Sequence, residues 1–204
     1  MIFSALILGG FAALSTALLS ITNEATRDAI ALSEQQALLR SLHEILPDER
    51  YDNDLLADRI SVRHSLLGTN LPVDVYRARL AGQDSAVIIA AQAPNGYNGR
   101  IKLLVGINTD GTLAGVRATS HKETPGLGDD IELARSDWVL GFNGKSLDQP
   151  AAKQWAVKKD GGVFDQFTGA TITPRAVVGA VYNTLKYFSE NRRFLFEQAS
   201  EQTD

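Results

Sequence analysis

The stretch AVIIAAQAPNGYNGRIKLLVGINTDG, residues 86–111, determines the architecture of this chain. Its two apolar runs, AVIIAAQA and IKLLVGI, are short and bounded by Asn, Gly and Asp, which is typical of β-strands. Asn95-Gly96 and Asp110-Gly111 both have the composition of tight hairpin turns. The sequence therefore predicts adjacent antiparallel strands over residues 75–119 rather than a wound parallel sheet.

A strong helix is predicted after these strands, beyond a loop-rich segment at residues 125–162. The apolar residues Val178, Val181, Leu185 and Phe188 follow the spacing of three and four residues that marks one buried helix face. We therefore expect a helix over residues 173–188, with Thr173 as its cap and Pro174 in its first turn. Strands followed by a packed helix predict an α+β domain.

The N-terminal residues 2–22, IFSALILGGFAALSTALLSIT, contain no charged side chain. A helix of this length measures roughly 31 Å, which is enough to cross a bilayer core. A cleaved signal peptide is the alternative, but such peptides have a basic start and a shorter apolar stretch. We therefore predict one retained transmembrane helix. Arg27 lies between Glu24 and Asp28, so charge bias does not orient this helix.

The segment between the apolar stretch and the strands has two parts. Apolar residues from Ile30 to Leu46 lie near helical spacing until Pro47, which predicts a juxtamembrane helix. This helix is either a rigid spacer that can contact a partner helix, or it packs on its own domain. Residues 47–74 are polar and acidic, so we expect a connection with little regular structure. The predicted boundaries are 1–23 for the transmembrane helix, 24–74 for the juxtamembrane helix and connection, 75–190 for the domain and 191–204 for a C-terminal tail.

Composition excludes several kinds of site. The chain has no cysteine, which excludes thiolate zinc sites, cysteine-ligated iron–sulfur clusters, disulfides and thiol nucleophiles. Its three histidines, His43, His64 and His121, lack the spacing of a metal site. The formal net charge of -4 argues against a nucleic-acid-binding surface. Dinucleotide-binding and phosphate-loop fingerprints are incomplete, and no GxSxG or HExxH motif occurs.

The heptapeptide DQFTGAT, residues 165–171, remains as a candidate site because it runs directly into the predicted helix. Thr171 would lie just ahead of the helix N-terminus, where free amides and the helix dipole favour a phosphate. Gly169 and Ala170 leave space for a bulky group close to the backbone. An ordinary capped turn has the same composition, so this short motif is not diagnostic by itself.

Three motifs occur in order behind the apolar N-terminus: GYNGRI at residues 96–101, HKETPGLGD at 121–129 and DQFTGAT at 165–171. This ordered set resembles the FMN-binding domain family of bacterial respiratory complexes, and the resemblance covers nearly the whole chain. Within that family it is most similar to the G subunits of Rnf-type electron transport complexes. The C subunits of sodium-translocating NADH:quinone reductases are the near alternative, but they are longer.

The resemblance implies covalently bound FMN. In that family a flavin transferase joins the phosphate of FMN, as a phosphoester, to the last threonine of the pattern Asp-x-x-Ser/Thr-Gly-Ala-Thr. That threonine is Thr171 here, and Asp165 and Thr168 match the first and fourth positions. Thr168 replaces the commoner serine, a change that we expect to permit attachment, although it could slow it. Further implied contacts with the flavin are Glu123, Thr124, Pro125, Gly126 and Leu127, with Tyr97 nearby, although a Pro-Gly loop and a hairpin tyrosine are also ordinary surface features.

The function that the resemblance implies is electron transfer within a membrane-bound, ion-translocating oxidoreductase complex, rather than catalysis by a stand-alone enzyme. The implied partners are the other membrane subunits of the complex and the flavin transferase, with no catalytic side chain, no metal and no nucleic acid. The implied location is the bacterial inner membrane, crossed once, with the domain on the periplasmic side. Family members usually have a short basic leader, which this chain is expected either to lack or to have lost by truncation. A non-redox membrane-anchored adaptor and an oxidoreductase that binds FMN reversibly are the alternatives.

Overall fold

The computed structural model describes residues 2–197, and within them the predicted α+β class is confirmed. A five-stranded antiparallel sheet has the order β1-β2-β3-β4-β5. Its strands are β1 (Arg59–Val62), β2 (Val73–Leu80), β3 (Gln83–Gly96), β4 (Gly99–Asn108) and β5 (Leu113–Ser120). The α-helices are α1 (Ile2–Ile45) and α2 (Ile172–Glu197). The segment predicted to be loop-rich, residues 125–162, contains only short 3-10 turns.

The hairpin turns confirm the predicted antiparallel pairing, with one shift in position. Gly96 and Gly99 pair directly, so the turn between β3 and β4 consists of Tyr97-Asn98. The predicted turn at Asn95-Gly96 lies two residues earlier, because an irregularity in the β3 register near its end extends that strand. Asp110-Gly111 lies in the turn between β4 and β5, as predicted. The β3–β4 turn is important below because its tip lies at the candidate site.

Helix α2 packs on one face of the sheet through the predicted apolar stripe, whose four residues are all buried. The helix continues beyond its predicted end at residue 188, so residues 191–197, the first part of the predicted C-terminal tail, are helical. The reason is that Leu195 and Phe196 are also buried and extend the same apolar face. The remainder of the predicted tail, residues 198–204, lies outside the described residues.

Residues 47–74 have more regular structure than the sequence predicted. β1 pairs with β2 over its whole length, with Ile60 opposite Val75. Within β1, Ile60 and Val62 are buried and alternate with half-buried Arg59 and Ser61. Four residues are too few for this alternation to stand out from a polar segment, so the prediction of an irregular connection is wrong here.

Helix α1 contains both the predicted transmembrane helix and the predicted juxtamembrane helix without interruption. It ends at Ile45, two residues before Pro47, which cannot continue a helix. Among the described residues, one helix is long and apolar enough to cross a membrane, and it is the Ile7–Ile45 portion of α1. The chain divides into two compact units, of which the first ends at Arg40 and the second begins at Ser41. Residues 24–36 of the first unit are exposed.

The last turn of α1 belongs to the second unit and lies on the other face of the sheet. A Cβ atom at Gly106 on β4 would overlap Cγ2 of Ile45, so glycine is needed for this close approach. Arg117 on β5 donates hydrogen bonds to the backbone carbonyl of Glu44 at 2.8 Å and to its carboxylate at 2.9 Å. The sheet is therefore covered on both faces around its central strands.

A buried ion pair ties β2 to the segment that precedes the sheet. The side chain of Arg77 is 1% exposed, and its Nε donates to Oδ1 of Asp58 at 2.8 Å. Arg79 donates to the other oxygen of the same carboxylate at 2.7 Å. Because a buried guanidinium is costly to separate from its counter-ion, Asp58 is expected to contribute strongly to stability.

We predict that Asp58→Ala lowers the free energy of unfolding by about 3–5 kcal/mol, because Arg77 loses this carboxylate while remaining buried. The matched variant Asp84→Ala removes a carboxylate that pairs with Arg79 at the surface, and should cost about 1 kcal/mol or less. Urea unfolding followed by tryptophan fluorescence measures both, since Trp138 and Trp155 lie in the second unit. Equal losses in the two variants would contradict this assignment.

Candidate functional site

A cleft of about 210 Å³ opens at the start of α2. Three segments form it: the β3–β4 turn, the loop after β5, and the end of the 165–171 loop with the first residues of α2. The lining residues are Tyr97, Glu123, Thr124, Leu127, Gly128, Gly169, Ala170, Thr171, Ile172 and Thr173. The fold therefore brings together residues of three motifs that are far apart in the sequence.

Most of the residues that the sequence and the resemblance singled out line this cleft, including Thr171. Those that do not are Pro125, Gly126, Asp165 and Thr168, and all four are exposed. The lining also includes Gly128, Ile172 and Thr173, which were not among the predicted site residues. Each lies within or directly after a motif, so proximity to the motif was the only available signal.

Glu123 connects the three segments around the cleft. It is 5% exposed, and its carboxylate accepts hydrogen bonds from the amides of Tyr97 at 3.2 Å and Asn98 at 3.0 Å. The hydroxyl of Thr173 on α2 donates to the same carboxylate. An ionised carboxylate can only accept hydrogen bonds, and every one of these partners can donate. Glu123 therefore holds the hairpin tip against the start of the helix.

Thr173 is not the helix cap that the sequence predicted. Helix α2 begins at Ile172, and Thr173 is fully buried with its hydroxyl directed to Glu123. Thr171 precedes the helix, and its carbonyl accepts a hydrogen bond from the amide of Arg175 at 3.3 Å. The reason for the error is that the helix begins at Ile172, one residue before Thr173, so Thr173 lies inside the first turn rather than at the cap position.

The loop before the helix is anchored by aromatic packing and a tight turn. Phe167 is buried and packs edge-to-face against Trp138, with ring centroids 5.1 Å apart. The indole N–H of Trp138 donates to the carbonyl of Asp165 at 2.8 Å. The amide of Ala170 donates to the carbonyl of Phe167 at 3.2 Å across a turn in which Gly169 has a φ of 81°. The loop therefore enters α2 with a defined geometry.

The electrostatics of the cleft are unusual for a site that would bind a phosphate. Among the described residues that line it, only Glu123 has a charged side chain. The nearby Arg175 forms a bidentate ion pair with Asp160 at 2.6 and 2.9 Å, and its hydrogen bonds lower the pKa of the Asp160 carboxyl below the ordinary value. Lys158 pairs with Asp165 at 2.5 Å. A phosphate at Thr171 would therefore meet the helix amides and dipole, but no cationic side chain among the described lining residues.

Comparisons with known proteins identify the family. Residues 96–186 match the family model described as FMN-binding domain, and residues 1–45 match the one described as RnfG N-terminal region. The G subunit of the ion-translocating oxidoreductase complex of Pseudoalteromonas atlantica is 52% identical over 197 residues, which cover 96% of this chain and 92% of the relative. The chain belongs to the family of G subunits of ion-translocating oxidoreductase complexes. The family resemblance drawn from the ordered motifs is thus confirmed.

Other G subunits of this family are similar to the chain to nearly the same degree. The Pseudomonas aeruginosa protein is 53% identical over 196 residues, and the Shewanella loihica protein is 49% identical over 196 residues, each covering 96% of this chain and 92% of the relative. The FMN-binding match includes every residue of the cleft. The N-terminal match ends at residue 45, where α1 also ends.

The cleft fits part of an FMN molecule. Its volume is smaller than the range of roughly 300–1,000 Å³ that encloses a drug-sized ligand, so some of the flavin would remain outside. Gly169 and Ala170 have almost no side chain to fill the space beside Thr171. The isobutyl group of Leu127 lies next to Gly169. Tyr97, which is 66% exposed, offers an aromatic ring at the rim. These residues are suited to contact a ring system at the protein surface.

We predict that Gly128→Ala destabilises the domain by about 1–3 kcal/mol, because the added methyl group overpacks the cleft wall. A Cβ atom at Gly128 would lie 2.9 Å from Cβ of Glu123 and 3.1 Å from Oγ1 of Thr173. The control Gly179→Ala adds the same group within α2, where nothing lies within 4 Å, and should stabilise the helix slightly. Urea unfolding compares the two. Equal or inverted effects would show that Gly128 does not pack against this pair.

Proposed function

We propose that this chain is an electron-transfer subunit of a membrane-bound, ion-translocating oxidoreductase complex of the Rnf type, and that it carries FMN as a phosphoester on Thr171. The observation that carries the proposal is the position of Thr171, which lines a cleft at the N-terminus of α2 within the FMN-binding match. The names of its relatives, the G subunits of such complexes, support the complex to which it is assigned.

The properties of the cleft favour a covalent attachment over reversible binding. A helix N-terminus stabilises an anion by only about 0.3–1 kcal/mol at an exposed site, and no cationic side chain in the described part of the chain lines the cleft to add to it. The small volume also limits how much of the ring system can be buried. An ester through Oγ1 of Thr171 retains the flavin regardless of its concentration, so it removes the need for a deep pocket.

When bound, FMN supplies redox chemistry that no side chain of this chain can perform. The residues around it have other tasks. The first turn of α2 stabilises the phosphate, and Leu127 and Tyr97 give apolar contact to the ring. Glu123 holds the β3–β4 turn and the start of α2 together through its hydrogen bonds to both. None of these residues is assigned a proton transfer, so Thr171 is an attachment point rather than a catalytic residue.

Helix α1 and the family match support the membrane location, and the periplasmic side is proposed from the family resemblance. The Ile7–Ile45 portion of α1 is long and apolar enough to anchor the chain, and residues 1–45 match the N-terminal region model of the family. We place the protein in the bacterial inner membrane as a single-pass subunit with its second unit on the periplasmic side. Its proposed partners are the other membrane subunits of the complex and a flavin transferase that forms the ester.

We predict that Thr171→Val abolishes flavin attachment, because valine has the shape of threonine without the hydroxyl. The chain is expressed together with a flavin transferase, denatured, and separated on a gel that is viewed under ultraviolet light. Thr124→Val is the matched control, since it removes a different hydroxyl of the same cleft and should leave the fluorescent band intact.

The same gel separates the competing functions. A wild-type band without fluorescence would favour a non-redox adaptor if the native chain also lacks flavin. Flavin that is present before denaturation but absent from the band would favour reversible FMN binding. Fluorescence that survives in Thr171→Val would place the attachment on another residue.

The periplasmic location gives a second prediction, which uses the absence of native cysteine. Asn143→Cys places a thiol on an exposed loop of the second unit, and Ile2→Cys places one at the other end of α1. In cells with a permeabilised outer membrane, a membrane-impermeant maleimide should label Asn143→Cys and should label Ile2→Cys only after lysis. The cysteine-free parent controls for background, and the reverse labelling pattern would refute the proposed orientation.

A further inference from the structure

Glu123 has a second property besides its hydrogen bonds, which is its charge. Among the described residues that line the cleft, it has the only charged side chain, and it is 5% exposed. Because buried charges are poorly screened by water and salt, this carboxylate acts on the cleft more strongly than a surface carboxylate would. Its partners, two backbone amides and the hydroxyl of Thr173, spread the negative charge without cancelling it.

Two cationic side chains of the segments beside the cleft are engaged elsewhere, and Lys122, the neighbour of Glu123 in the sequence, is exposed and outside the cleft lining. Arg175 is paired with Asp160, and Lys158 with Asp165. Nδ1 of His121 accepts a hydrogen bond from the backbone amide of Glu123 at 3.1 Å. The other ring nitrogen, Nε2, lies 2.6 Å from the carboxylate of Glu132. His121 therefore contacts the backbone of Glu123 rather than its carboxylate. No side chain in these contacts therefore offsets the charge of Glu123.

The N-terminus of α2 opposes Glu123, but less strongly. A helix N-terminus acts as roughly half a positive charge, whereas the carboxylate has a full negative charge. A phosphoester on Thr171 is itself anionic and would occupy this end of the helix. The field that remains in the cleft is therefore negative.

We propose that the carboxylate of Glu123 lowers the reduction potential of the flavin on Thr171. Each electron that passes from a donor subunit to the flavin oxidises the donor and adds one negative charge to the cleft, unless a proton follows. A fixed carboxylate makes that addition less favourable and makes the reduced protein a stronger electron donor. This inference rests on the proposed function, because it requires a flavin at this site.

The test is a spectroelectrochemical titration of the full-length, flavin-loaded chain in detergent at neutral pH. Glu123→Gln removes the charge at nearly constant shape and should raise the midpoint potential. Asp130→Asn removes a charge from the same loop outside the cleft lining and should leave the potential at the wild-type value. Thr173→Val removes a hydrogen-bond donor while keeping the carboxylate, so the potential should stay unchanged or fall.

The outcomes separate this inference from the proposed function. A wild-type chain without attached flavin would refute the proposed function. Attached flavin with an unchanged or lower potential in Glu123→Gln would refute the role of Glu123 alone. A rise in Thr173→Val as large as that in Glu123→Gln would also refute it, because lost packing rather than lost charge would then explain both.

Circular dichroism of each variant verifies that it is folded. If Glu123→Gln does not fold, Thr124→Lys replaces it, since Thr124 is exposed and lines the same cleft. The added cation should raise the potential relative to the neutral variant Thr124→Gln. An unchanged potential would overturn the inference, because the cleft would then be insensitive to charge.

Discussion

The carboxylate of Glu123 is the constraint on which the cleft depends, because it is bonded to both the hairpin tip and the start of α2. Two glycines make room for it: a Cβ atom at Gly96 would lie 2.9 Å from its Oε1, and one at Gly128 would lie 2.9 Å from its Cβ. If the carboxylate were lost, two amides and a buried hydroxyl would have to find other acceptors. The cleft is therefore held in shape by polar bonds at its centre, while its rim is left apolar and open.

The rest of the domain places these groups within reach of one another. The apolar face of α2 packs across the sheet against β3 and β4. This packing positions the first turn of α2 beside the β3–β4 turn. Phe167 is anchored in the same core and fixes the loop that enters the helix. On the opposite face, Ile45 fits against Gly106 and fastens the end of α1 to the sheet. The packing of α2 and Phe167 in the core thus determines where Thr171 lies.

Local patterns predicted the parts of this structure that depend on local physics. The apolar stripe of α2 and the turn at Asp110-Gly111 are examples, because periodicity and glycine conformation act over a few residues. β1 was missed because a four-residue strand becomes stable only when paired with β2. The bond between Thr173 and Glu123 was missed because it joins residues 50 positions apart, and nothing in either neighbourhood indicates the partner. The ordered motifs lie around the cleft, but only the tertiary contacts show which of their residues meet.

An electron carrier has two requirements that conflict. Deep burial would retain a flavin by affinity, but it would also separate the ring from a partner protein. The cleft here favours access over burial, because it is small and its rim is exposed. The exposed fractions at the rim are 66% for Tyr97, 44% for Leu127 and 46% for Ile172. Such a site retains FMN poorly by contact area alone. The bond to Thr171 that we propose would meet the requirement for retention separately, so the rim could remain open and apolar for electron exchange with a neighbouring protein of the complex. The proposed covalent link thus complements the shallow cleft, because it supplies the retention that the small contact area lacks.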